Sequence, residues 1–174
     1  MKRLGDFLPQ LGPPLRDLDT GPLERVAASW GVTFPSDLLE VLTAYGDAVV
    51  SGQIRLLGPR TLERAGVYFG PAMLPSLGEE LIPELLPVTG GLLLWATTPD
   101  GDYLCLRQDG SVWLVSTYDG QNLQWTHTQD EFSDWLHAGL VGEPKYAIFP
   151  PWPAARPHAL GEVGPHPFGA SARA

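Results

Sequence analysis

The sequence predicts an α+β fold, in which an antiparallel β-meander sheet is packed by an N-terminal helix pair and a C-terminal helix. Three observations predict it. Apolar residues recur with helical spacing between residues 21 and 46, they gather in short strand-like runs between residues 90 and 126, and the helical spacing returns after residue 128. Helices and strands are therefore grouped along the chain rather than alternating, which is typical of α+β domains.

The helix pair is predicted between residues 20 and 46. Pro22 suits the first turn of the first helix, and the second helix starts near Pro35. Gly31 and Gly46 stand where a glycine commonly ends a helix. The apolar positions at i, i+3, i+4 and i+7 are Leu23, Val26, Ala27 and Trp30 in the first helix and Leu38, Val41, Leu42 and Tyr45 in the second.

The strands begin with a predicted strand at residues 51–57. Further β-prone runs at 92–97, 102–107, 111–117 and 121–126 are separated by turn residues, of which Asp109-Gly110 is a typical hairpin signal. Both faces of these strands carry apolar residues, so helices cover one face and the other is partly covered or apolar. Residues 59–88 are the least regular, with a helical turn expected at residues 61–65 and a short helix opened by the capping-box spacing of Ser76 and Glu79.

The closing helix is predicted to be capped by Thr128, with Glu131 three residues later, and to end at Gly142. Its apolar stripe is Phe132, Trp135, Leu136 and Leu140. One domain is therefore expected over residues 1–142, in which residues 1–19 form an irregular lead-in with one helical turn at residues 6–8. The Pro/Gly-rich tail, residues 143–174, is expected to dock in part on this domain and to be disordered beyond His158.

Negative charge is concentrated in the middle of the chain. The formal net charge is −9, and residues 79–143 hold eleven acidic residues against one base, Arg107. A field of this sign repels phosphate backbones and anionic membranes and attracts cationic proteins. The charge therefore argues against direct nucleic-acid binding and favours a basic protein partner, while acidity that serves solubility alone explains it equally well.

The composition also bears on location. No apolar run approaches the roughly 20 residues of a membrane span, the longest being residues 90–98. The first six residues turn acidic at once, unlike a secretory signal. Cys105 is the only cysteine, which excludes an internal disulfide framework. These features favour the cytoplasm.

Motifs for catalysis or cofactor binding are missing from the sequence, which has no GxxxxGK[ST] loop, no GxGxxG and no GxSxG elbow. Cys105 lies in a predicted strand, where a cysteine normally acts as a small apolar residue. One alternative is a metal-dependent hydrolase built from His127, Glu131, Asp134 and His137 around one helix start. Surface carboxylates near a helix cap are the commoner explanation. We therefore predict no enzyme activity, no catalytic residue, no metal and no cofactor.

Three segments together resemble the SUKH superfamily, which includes bacterial immunity proteins and fungal cell-wall-assembly regulators. The first is residues 30–38, WGVTFPSDL, which runs on to Tyr45-Gly46 and resembles the family's two opening helices and their link. The second is residues 90–96, GGLLLWA, followed by the acidic turn at residues 100–102. The third is Trp113 and then residues 132–136, FSDWL, which is similar to the family's closing helix.

The resemblance implies a non-enzymatic protein-binding domain, and in a bacterium an immunity protein that neutralises a cognate, basic toxin. An intracellular scaffold that gathers several proteins is the alternative from another class, and the oligomeric state is left open. The aromatic positions Trp30, Tyr45, Trp95 and Trp113 are expected in the core. The residues expected to contact the partner, acidic except for two aromatic anchors, are Glu79, Glu80, Glu84, Asp100, Asp102, Asp109, Asp119, Tyr118 and Trp125.

Overall fold

The structure, a computed structural model, describes residues 2–68, 85–99, 102–118, 122–143 and 157–162. Its helices are α1 (Leu4–Leu11), α2 (Gly21–Ser29), α3 (Ser36–Tyr45), α4 (Pro59–Tyr68) and α5 (Phe132–Val141). Its strands are β1 (Ala48–Val50), β2 (Ile54–Leu56), β3 (Leu93–Thr97), β4 (Tyr103–Leu106), β5 (Ser111–Tyr118), β6 (Asn122–Glu131) and β7 (Leu160–Glu162).

The strands form one antiparallel sheet of seven strands in the order β6-β5-β4-β3-β2-β1-β7. Six strands follow one another as a meander, and β7 returns to pair with β1 at the far edge. This confirms the predicted α+β fold with an antiparallel meander and helices packed on it. The short helix expected from Ser76 and Glu79 lies outside the described residues.

The predicted helix pair is present as α2 and α3, and its apolar stripes are buried in the core except for Trp30, which follows α2 and is half-buried against the core. The core continues to α5 through Trp95, whose ring makes edge-to-face contacts with Phe132 at 4.9 Å and with Trp135 at 5.9 Å. Trp95 and Tyr45 are fully buried, as expected of fold-forming aromatic residues. Aromatic pairs of this geometry add about 0.5–1.5 kcal/mol each beyond the burial of their area.

Only residues 54–56 of the strand predicted at residues 51–57 form a strand, β2, which pairs in a hairpin with the unpredicted β1 at residues 48–50. The chain turns at Ser51 and Gly52, which adopt φ values of 49° and 71°. Val50 pairs with Ile54 across this turn, and Ala48 pairs with Leu56. The prediction placed Ser51 and Gly52 in the strand, although a Ser-Gly pair commonly marks a turn.

The start of the chain is more regular than expected, because residues 4–11 form the helix α1 rather than a single turn. The Asp6 carboxylate accepts a hydrogen bond of 2.8 Å from the Arg3 N–H and so provides an acceptor for this backbone donor at the start of the helix. Phe7 and Leu11, four residues apart, are buried in the core. Packing of this apolar stripe outweighs the proline inside the helix.

The start of α5 also differs from the prediction, because Thr128 is buried within β6 and does not cap the helix. Its hydroxyl accepts a bond of 3.3 Å from the Asp130 N–H instead. Strand β6 runs on to Glu131, and the N–H of Ser133 in the first turn donates to the Asp37 carboxylate at 3.2 Å. A carboxylate 96 residues away in sequence therefore takes the place of the local cap.

Residues 157–162 lie against the folded chain, although we expected disorder beyond His158. The buried His158 ring donates from Nε2 to the Leu140 carbonyl at 3.1 Å, and its Nδ1 is hydrogen-bonded to the Ser51 hydroxyl at 3.1 Å. The His158 N–H donates to the Gln10 carbonyl, and β7 follows directly. These hydrogen bonds hold residues 157–162 against the domain, whereas the sequence indicated only a proline-rich tail. The expectations for residues 144–156 and 163–174 lie outside the described residues.

Candidate protein-interaction surface

A groove of about 330 Å³ lies at one end of the sheet, where the turn between β4 and β5 meets the first residues of α3 and α5. Its floor is apolar and includes two buried phenylalanines, and its rim is polar with two carboxylates. The floor residues are Phe34, Pro35 and Phe132, and the rim residues are Gln108, Asp109 and Glu131. We call these six residues the acidic groove.

Asp109 is held in place by its own turn. Its Oδ1 accepts hydrogen bonds from the Ser111 N–H at 2.9 Å and from the Ser111 hydroxyl at 2.6 Å. These bonds lower the pKa of Asp109, and the positive charge of Arg107 and His127 lowers it further. The side chain is exposed and remains ionised at neutral pH, with both hydrogen bonds on one oxygen.

Glu131 closes the groove from the opposite side. It is exposed, it is the last residue of β6, and its backbone is paired with Ser111 in β5. It also immediately precedes α5, where a negative charge interacts favourably with the helix dipole. Register and helix start together therefore fix Glu131 close to the turn that carries Asp109.

Beneath the rim, the buried Asp37 carboxylate holds the two helix starts together. Its Oδ1 accepts from the Leu38 N–H at 2.9 Å in α3, and its Oδ2 accepts from the Ser133 N–H at 3.2 Å in α5. This role of Asp37 was not predicted from the sequence, because an acid in the first turn of a helix is ordinarily explained by its own helix dipole. Glu131 was expected only as part of a helix cap or of the alternative metal site.

The other predicted contact residues lie elsewhere. Asp102 is at the opposite end of β4, where its Oδ2 accepts from the Thr98 hydroxyl at 2.8 Å and its N–H donates to the Thr98 hydroxyl oxygen at 3.0 Å. It therefore closes the turn between β3 and β4. Tyr118 is the last residue of β5 at that same end, and Trp125 pairs with Val115. Glu79, Glu80, Glu84, Asp100 and Asp119 lie outside the described residues.

The four residues considered for a metal site have different surroundings. His137 packs its ring edge-to-face on Phe7 at 5.8 Å, and His127 is exposed on β6. In the part of the chain that the structure describes, no three His, Cys, Asp or Glu side chains are placed to hold a metal ion. Cys105 is fully buried, and burial raises the pKa of its thiol far above the ordinary value. Cys105 therefore stays a neutral, apolar side chain.

Among the described residues there is also no helix with the length and apolar character needed to cross a membrane.

The chain matches the model of the SMI1 / KNR4 family (SUKH-1) over residues 18–138. This range contains α2, α3, the whole meander and the acidic groove. No curated protein and no solved structure matches the chain. Family members are known as immunity proteins or cell-wall regulators, they are generally non-enzymatic, and their domains are protein-interaction modules. The protein therefore belongs to the SMI1 / KNR4 family, SUKH-1, as the resemblance of its three segments predicted.

Proposed function

We propose that the protein is a bacterial immunity protein of the cytoplasm, which binds a cognate basic toxin and blocks the toxin's active site. The observation that carries this proposal is the acidic groove, in which the carboxylates of Asp109 and Glu131 lie beside an apolar floor on a chain of net charge −9. The family match supports it, because immunity proteins are one of the two classes known in this family.

The groove has the chemistry to bind a lysine or arginine side chain. The aliphatic stem of such a residue packs on apolar surface, here Phe34, Pro35 and Phe132, while its cation stays near the solvent. At the rim the cation meets the carboxylates of Asp109 and Glu131. Charge-assisted hydrogen bonds of this kind are about twice as strong as neutral ones.

The groove is also organised before a partner arrives. Ser111 holds the Asp109 carboxylate through two hydrogen bonds, and the buried Asp37 fixes the start of α5 beside Glu131. A partner therefore need not order these side chains on binding, which lowers the entropic cost of association.

We further propose that acids at the other end of the sheet steer the toxin as it approaches. Asp102 lies at that end, and Tyr118 ends β5 there. Long-range attraction of this kind mainly raises the association rate. The proposed steering and anchoring residues are Asp102, Tyr118 and Trp125, together with Glu79, Glu80, Glu84, Asp100 and Asp119, which lie outside the described residues.

The proposal is tested by expressing the protein together with the toxic product of the gene adjacent to its own. We expect growth to be restored when both are present. If no neighbouring product is toxic, or if growth fails while both proteins are soluble, the proposal is wrong.

The role of the groove is tested by Glu131→Lys, with Glu143→Lys as the matched control. Glu131 and Glu143 are both exposed and lie at opposite ends of α5, so the two variants change the net charge equally. For Glu131→Lys we expect association with the toxin at low salt to slow by roughly fivefold or more, with a weaker dependence on salt. Equal association rates for the two variants would show that the groove is not part of the contact surface.

The second function known in the family, a regulatory scaffold, predicts a different set of partners. Purification of the protein from its own host separates the two. A single partner in equal amount favours the immunity protein, and several partners in smaller amounts favour the scaffold.

A further inference from the structure

The outermost strand of the sheet, β6, is long and is placed to accept another strand. It spans ten residues, Asn122–Glu131, and stands at the end of the strand order with β5 as its neighbour. No strand among the described residues pairs with its other side. Thr126, His127 and Gln129 along it are exposed to solvent.

The register shows which backbone groups of β6 face outward. The Arg107 N–H donates to the Ser111 carbonyl, which makes Ser111 a residue whose backbone points towards β4. Backbone direction alternates along an antiparallel strand, so Leu114 and Ser116 point towards β6. Their partners there are Thr126 and Gln124. The backbone groups of Leu123, Trp125 and His127 therefore point away from the sheet.

Between Asn122 and His127 the edge lacks the features that usually protect a sheet from another strand. Edge strands are commonly short or bulged, or they carry proline or charged residues. Residues 122–127 of β6 read Asn-Leu-Gln-Trp-Thr-His, with no proline and no Asp, Glu, Lys or Arg. The register stays regular from Asn122 to His127 and shifts only after it. At the other edge β7 has only three residues and follows Pro157 closely.

We propose that the outer edge of β6 binds an extended, basic segment of the toxin by strand addition. This inference rests on the proposed function and names the surface through which the toxin is held. Backbone hydrogen bonds would supply affinity along the strand, as in other complexes formed by strand addition.

Charge selects a basic segment of a different protein as the occupant. Strand β6 ends at Asp130 and Glu131, and Glu131 is also part of the rim of the acidic groove with Asp109. A segment that follows β6 to this end delivers its next side chains to the groove, where Lys or Arg is favoured. A second copy of this chain would instead bring a further net charge of −9 to the contact.

The test uses Leu123→Pro with Leu123→Ala as its control. Proline removes the outward N–H at position 123 and fits an edge strand, whereas alanine shortens the side chain and keeps the N–H. The probe is the toxin whose growth inhibition the wild-type protein relieves. We expect Leu123→Pro to bind it at least about tenfold more weakly than Leu123→Ala does, at the same melting temperature.

A second measurement keeps the proposal testable if the proline variant does not fold. Amide hydrogen exchange of the wild-type protein, read by NMR residue by residue, should slow at Leu123, Trp125 and His127 when the toxin binds. The amide of Gly161 in β7 is the reference and should exchange at the same rate in both states.

Four results would overturn the inference. The first is a folded Leu123→Pro variant that binds the toxin as tightly as Leu123→Ala, and the second is a set of outward amides that exchange at the same rate with and without toxin. The third is slow exchange of these amides already in the isolated monomer, because the chain would then cover its own edge. The fourth is a dimer of the free protein that Leu123→Pro dissociates. Failure of the wild-type protein to neutralise any toxin would instead refute the proposed function, and the inference would fall with it.

Discussion

Asp47 and Asp109 are held by the chain in the same manner, yet one belongs to the fold and the other to the surface. In each, Oδ1 accepts from a backbone N–H and from the hydroxyl of the same residue, Thr61 for Asp47 and Ser111 for Asp109. Asp47 is 2% exposed, and its Oδ2 accepts from the N–H and the Nε of Arg60. Asp109 is exposed, and its bonds use a single oxygen. The same local chemistry therefore uses both carboxylate oxygens of Asp47 within the fold and leaves one carboxylate oxygen of Asp109 for a partner.

The largest effect is expected for Asp47→Ala. The substitution leaves buried donors at Gly58 and Thr61 without an acceptor and places alanine at a φ of 57°. We expect a loss of about 3–5 kcal/mol in the free energy of unfolding, measured with urea. Asp47→Asn keeps an acceptor oxygen and tolerates the backbone conformation, so it should cost distinctly less. A loss below about 1 kcal/mol for the alanine variant would show that Asp47 does not anchor the start of α4.

A smaller but still clear effect is expected for Gly58→Ala. A Cβ at this position would lie 2.5 Å from the Asp47 nitrogen and 2.5 Å from the Gly46 carbonyl carbon, and both are backbone atoms. The backbone must shift, and the donors to Asp47 shift with it, so we expect a loss of about 2–3 kcal/mol. Gly161→Ala is the control, because nothing lies within 4 Å of its Cβ position. Equal melting temperatures for the two variants would contradict this close approach.

The smallest effect on stability is expected for Asp109→Ala, at about 0.5–1 kcal/mol, because its hydrogen bonds are exposed to water. The bonds from Ser111 lower the pKa of Asp109 from its ordinary 3.8. A lowered pKa in the folded state means that this stability is present above about pH 4 and is lost as the pH falls through the lowered value. Melting curves between pH 2 and pH 7 should show this loss in the wild type and only a reduced one in Ser111→Ala. The same profile in both would mean that Ser111 does not set the pKa.

Local sequence signals predicted the fold class and most of the helices and strands. The stripe of Leu38, Val41, Leu42 and Tyr45 predicted α3, and Asp109-Gly110 predicted the turn between β4 and β5. In both cases residues near in sequence determine the structure, since a helix face or a tight turn is built from neighbours. The family resemblance rested on the same kind of short segment, and the match over residues 18–138 confirmed it.

Those local signals could not predict contacts between residues that are distant in sequence. The partner of the Asp37 carboxylate at Ser133 is 96 residues away, and His158 meets Ser51 across 107 residues. Neither pairing leaves a periodic pattern in the chain. Of the two rim carboxylates of the acidic groove, only Asp109 was among the predicted contact residues, because Glu131 comes from a strand end brought there by the register of β5 and β6.

The docking of His158 has a practical consequence for anyone who shortens this protein. The family match ends at residue 138 and the helix α5 at Val141, so both suggest a cut near residue 142. Such a cut would discard the imidazole that links Leu140 to Ser51, the backbone group that meets Gln10, and the strand that shields β1. Truncation there would open three separate elements to solvent, so tags and fusions are better attached after residue 162 than at the apparent end of the domain.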